Sequence, residues 1–83
     1  MYFFAQGTLH NPSQLTGLQD AETRALRVLK AEGTVLSAFR KPAGGIVSFV
    51  QGDSEASIRV RMDTLPFVAH GLLTFEYTEV IDL

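Results

Sequence analysis

The sequence predicts an α+β fold of the ferredoxin-like, split βαβ kind: strand, helix, strand, strand, helix, strand. Three observations predict it. Four short segments rich in apolar and aromatic residues on both faces read as strands. Between the first two of these, Leu15, Leu18, Ala25, Leu26 and Leu29 fall in one arc at about 100° per residue, which marks a helix. Pro42-Ala43-Gly44-Gly45 joins the middle two strands so tightly that they form an antiparallel hairpin. This order builds one antiparallel sheet with both helices on one face.

The first strand spans Tyr2–Leu9. It is apolar on both faces, which predicts a central strand buried on both sides. Gly7 within it predicts a bulge or a close approach. Asn11 is a suitable N-cap and Pro12 a suitable first residue for the first helix. That helix runs to about Ala31 or Glu32, and Gly33 ends it. The second strand, Thr34–Lys41, places Val35, Ser37 and Phe39 on one face and Leu36, Ala38 and Arg40 on the other. The third strand is Ile46–Gln51. Asp53 or Ser54 ahead of Glu55 signals a second helix, about Ser54 to Met62. Pro66 falls in a connection, and the last strand covers about Leu72–Glu79, with Leu73, Phe75 and Tyr77 on one face.

The 83 residues suffice for one domain, residues 1–83. A chain this short buries only about 60–65% of its unfolded surface, and it has no cysteine to staple it. Yet 46% of its residues are hydrophobic, so excess apolar surface is expected to be covered by self-association. The sheet face without helices is apolar too, which points to a face-to-face homodimer. Seven basic against nine acidic residues argue against a nucleic-acid partner. No apolar run nears the roughly 20 residues that cross a bilayer. The start, Met1 to Gln6, has no basic n-region, so the expected location is cytoplasmic.

One residue is out of place. Glu22 interrupts the apolar arc of the first helix, midway between Leu18 and Leu26. A carboxylate there is costly unless paired or protonated. It either snorkels outward, pairs with a cation, or sits in an apolar pocket with a raised pKa, where it can act as a general base. Arg40 is a candidate anchor for a substrate carboxylate, and a Glu22–Arg40 ion pair would satisfy both groups without chemistry. His70, after the apolar Leu65-Pro66-Phe67-Val68, is a second candidate at the pocket wall; His10 is a weaker one. No cysteine and no His-x-His or His-x-x-x-His spacing speaks for a metal, and no phosphate-binding Gly loop or nucleophile elbow is present.

The run Leu29-Lys30-Ala31-Glu32-Gly33-Thr34, the Phe39-Arg40 pair before a Gly-containing turn, the opening Met1-Tyr2-Phe3 and the segment Leu65-Pro66-Phe67 together resemble the muconolactone isomerase family. The resemblance implies a dimeric α+β barrel, in which the sheets of two ferredoxin-like subunits pack together. It implies a cofactor-free proton shift in an unsaturated lactone during aromatic catabolism. Glu22 matches a family glutamate and becomes the catalytic acid/base; Arg40 matches a family arginine. Ser37 and Phe39 stand where the family has His and Trp, and are the expected substrate contacts with Arg40 and His70. Gln19 and Ala21 replace a lysine and an acidic residue, and the chain stops at Leu83, where the family carries a tail. These replacements loosen the link to the lactone, because pocket polar groups set specificity. Two other readings remain: a non-catalytic oligomeric domain binding a small apolar or carboxylated molecule, and a cofactor-free monooxygenase or cyclase of aromatic polyketides.

Overall fold

A computed structural model describes residues 1–83. It contains β1 (Tyr2–Leu9), α1 (Gln19–Ala31), β2 (Val35–Arg40), β3 (Ile46–Gln51), α2 (Glu55–Met62), a one-turn helix α3 (Pro66–Ala69) and β4 (Leu73–Val80). The strands form one sheet in the order β2-β3-β1-β4, with every neighbouring pair antiparallel. The ferredoxin-like order expected from the sequence is therefore the observed one. β1 is interior, paired along its length with β4 and from Tyr2 to Gly7 with β3. Its two apolar faces follow from that position.

The helices cover one face. Leu29 of α1 and Ile58 and Met62 of α2 join Phe3, Val35, Val50 and Leu65 in a buried core. α2 begins as its sequence predicts: Ser54 accepts from the Ser57 N–H at 3.1 Å, and the Ser57 hydroxyl accepts from the Ser54 N–H. Arg61 of α2 binds Glu32 at the end of α1, with Nε donating to Oε2 at 2.9 Å, and so ties the helices together. No helix is long and apolar enough to cross a membrane.

Three local features differ from expectation. Helix α1 starts at Gln19, not after Asn11; Pro12–Gln14 and Thr16–Leu18 are separate 3₁₀ turns. Asn11 adopts φ 48°, a left-handed conformation in which it makes no side-chain cap, and Thr16-Gly17 are poor helix formers. Pro66 opens the short helix α3 instead of lying in a plain connection, since its fixed φ suits a first helical residue. The third difference is a β-bulge in β2. Val35 pairs with Val50, but Ser37 already pairs with Phe49, so Leu36 is an extra residue. The bulge shifts the alternation by one. Val35 therefore shares the helix-covered face with Ala38 and Arg40, while Leu36, Ser37 and Phe39 lie on the open face.

Gly7 is the close approach that its place in β1 predicts. A Cβ there would lie 2.8 Å from side-chain atoms of both Leu73 and Phe75. Gly7→Ala is expected to lower stability by about 1–3 kcal/mol through overpacking, read as a drop in the urea midpoint. An unchanged midpoint would mean that Leu73 and Phe75 move aside freely.

Candidate active site

Glu22 lies in the first turn of α1 on the side that packs against the sheet. Ala25, Leu26 and Leu29 of the same face contact or form the core. The carboxylate neither reaches open solvent fully nor finds a cation. The ion pairs of the molecule are Arg59–Glu55 and Arg61–Glu32. Instead, Glu22 Oε1 accepts a hydrogen bond from the Phe67 backbone N–H at 2.9 Å. Phe67 is the second residue of α3, where backbone N–H groups have no partner within the helix. The Leu65-Pro66-Phe67 segment thus turns a free donor onto Glu22.

Beside this carboxylate is a narrow cleft of about 40 Å³ between α1 and the sheet. Leu26, Val35, Ala38, Ile46, Leu73 and Phe75 make most of its wall, and its polar members are Glu22 and Ser48. Burial in this apolar setting pushes the Glu22 carboxyl above its ordinary value of 4.5, and the Phe67 N–H offsets part of the rise.

The raised value sets a pH dependence. The folded chain keeps the Glu22 proton at a pH where the unfolded chain has released it. This contribution to stability is fully present below 4.5 and is lost as pH rises through the folded pKa. Glu32, held low chiefly by its hydrogen bond to Arg61, acts oppositely and below 4.5. The denaturant midpoint of Glu22→Gln, compared with wild type at each pH, isolates the Glu22 share. Wild type is expected to lose stability relative to the variant from pH 4.5 towards neutrality; parallel profiles would show an ordinary carboxyl.

The other expected contacts divide between locations. Arg40 is exposed, on the helix-covered face, opposite Ile46 in the ladder. Ile46 lines the cleft, but Arg40 is not among the lining residues. Ser37 and Phe39 pair with Phe49 and Val47 on the open face, so they do not line the cleft that holds Glu22. Regular alternation would put the two on Val35's face; the bulge removes them from it. His70 caps α3, exposed, with its backbone N–H on the Pro66 carbonyl at 2.9 Å, and it lies outside the cleft wall. His10 Nε2 is 2.9 Å from Thr74 Oγ1 at the end of the sheet. Tyr77 packs edge-on against Phe3, and burial pushes its phenol up to about 12. No three His, Asp or Glu side chains converge as metal ligands would.

Ser48 is the residue that sequence reasoning passed over. It interrupts the core-facing row Ile46, Ser48, Val50 just as Glu22 interrupts the stripe of α1, so the same signal marks it.

No known family's sequence profile matches the chain, and no curated protein sequence matches it. Among solved structures it is similar to a 5-chloro-2-hydroxyhydroquinone dehydrochlorinase from Burkholderia phenoliruptrix AC1100, in complex with 2,5-dihydroxybenzoquinone. The TM-score is 0.80, over 98% of this chain and 94% of that one, at 15% identity. The likeness is one of fold. Nearly the whole of both chains superposes, so the ferredoxin-like architecture is shared from β1 to β4.

Proposed function

We propose that this protein is a cofactor-free enzyme that moves a proton within a small lactone or cyclic carboxylate, resembling muconolactone isomerase. One observation carries the reading. Glu22 sits without a counter-cation on an apolar cleft, its pKa raised by burial and its carboxylate held by the Phe67 N–H. A base poised this way suits removal of a proton from carbon. The ionised Glu22 takes a proton from the carbon next to a carbonyl. The C–H electron pair moves into a dienolate, and the resulting carboxylic acid returns the proton to the far end of the conjugated system. The double bond shifts, and Glu22 ends ionised as it began. Arg40, the ladder partner of Ile46, is the cation this reading assigns to a substrate carboxylate.

The cleft volume is that of about one water, whereas an apolar cavity that takes benzene measures about 150 Å³. A ring therefore enters only when α1 and the sheet separate at this point. The fold neighbour is known in complex with a small dihydroxyquinone, a ring of the size class proposed here. The narrowness of the cleft favours the competing reading, an oligomeric module without catalysis. Incubation with unsaturated five-membered lactones in D₂O separates the two. A double bond that shifts, or deuterium entering at either end of the conjugated system, supports the enzyme; neither change on any of them supports the module.

The homodimer belongs to the same proposal. Tyr2, Leu36, Phe39 and Phe49 expose 39–60% of their surface on the sheet face without helices. A groove of about 350 Å³ runs between Tyr2, Leu36, Phe49, Val80 and Ile81. A second copy of the same face matches this apolar surface through a two-fold axis.

A further inference from the structure

We propose that Ser48 is the substrate-orienting residue of the cleft, and that it selects rings bearing a hydroxyl donor. The proposal deepens the function above and depends on the cleft beside Glu22 being the binding site.

Ser48 is 2% exposed, in the middle of β3. Its cross-strand neighbours on the same face are Ala38 of β2 and Ala5 of β1. Three small side chains in a row make this the lowest part of the sheet surface under α1, and the cleft lies over it. A valine at position 48 would fill that space with apolar contact. The sequence instead keeps a hydroxyl opposite the carboxylate of Glu22, on walls that are otherwise almost wholly apolar.

The direction of that hydroxyl is settled. Ser48 Oγ lies 2.7 Å from the Ser37 carbonyl oxygen, at the β2 bulge. A carbonyl carries no proton, so the Ser48 O–H donates there. While that bond is kept, Ser48 offers the cleft its oxygen lone pairs, and so it accepts. A complementary guest carries an O–H directed at the sheet and an acidic proton directed at Glu22. Hydroxylated lactones with a C–H beside the carbonyl meet both parts of this condition; phenol carries the hydroxyl part alone, and its O-methyl ether lacks even that. A site built to accept from a hydroxyl discriminates against the analogue lacking it, because its acceptor is then buried unpaired.

Phenol and anisole, titrated separately into the full chain, test this. The readout is the backbone amide resonance of Phe67, which reports on the cleft through its bond to Glu22 and not on the open sheet face. Wild type is expected to bind phenol about tenfold more tightly than anisole. In Ser48→Ala the ratio should fall to within about twofold, with both ligands still shifting the Phe67 amide. If Ser48→Ala does not fold, Ser48→Cys keeps the volume with a much weaker acceptor and is expected to lose the preference as well. Equal binding in wild type, a preference retained in the folded variant, or no response of Phe67 to either ligand overturns the proposal. A phenol preference lost in the variant, together with neither a double-bond shift nor deuterium entry on any lactone, removes the enzyme and leaves the Ser48 assignment standing. Either change without the preference does the reverse.

Discussion

Glu22→Gln is expected to remove most of the proposed proton-transfer turnover, by about 10²–10⁴-fold, and to leave the fold as it is. The amide has the size of the carboxylate, and its oxygen can still accept from the Phe67 N–H that now binds Glu22 Oε1 at 2.9 Å. Position is thus kept and basicity is lost. The substitution is not expected to destabilise the chain at neutral pH. Burial works against the charged form of Glu22, and a neutral side chain relieves that penalty. Loss of function without loss of stability separates a catalytic carboxylate from a structural one, whose removal would lower stability first. The measurement is the initial rate at which the double bond shifts, with the thermal midpoint taken on the same samples. Turnover equal to wild type would end the role assigned to Glu22, and a large drop in midpoint would make it a packing residue.

Phe49→Asp is expected to convert the proposed sheet-face homodimer to a monomer. Phe49 lies in the open sheet face, 42% exposed, with its ring 5.2 Å from that of Phe4. In a face-to-face dimer every substitution occurs twice, so two carboxylates would be buried opposite apolar surface. A combined penalty of about 4 kcal/mol, at the low side for uncompensated buried charge, already weakens association by about 10³-fold. The monomer should remain folded, because Phe49 points away from the core formed by Phe3, Leu29, Val35, Val50, Ile58 and Met62. Sedimentation at micromolar concentration reads the mass. Wild type sedimenting as a monomer, or a variant sedimenting unchanged, would remove the sheet-face dimer.

Much of the architecture was legible because period and punctuation are local. Short apolar runs between turn residues located the four strands, and the two apolar faces of Tyr2–Leu9 placed that strand inside the sheet. The helical arc of Leu18, Ala25, Leu26 and Leu29 turned Glu22 inward before any coordinates were known. Ser54 ahead of Glu55 marked the start of α2, although Ile58, Val60 and Met62 also alternate like a strand. The 3₁₀ turns before Gln19 were not legible, since Asn11 and Pro12 carry the same composition at a true helix start.

By itself, then, the sequence determined the ferredoxin-like order, the core face of α1 and one carboxylate facing that core. Only the tertiary structure decided which groups share a cleft with it. The bulge at Leu36 sends Ser37 and Phe39 to the open face, and it exists only in the pairing of β2 with β3. The Phe67 N–H reaches Glu22 across 45 residues of chain. Ser48 meets the same cleft from a strand that β1 and β2 flank on either side. Periodicity reports which way a side chain points from its own backbone. It carries no information on strand register or on how far one element lies from another, and those two quantities bring Glu22, Ser48 and Phe67 together.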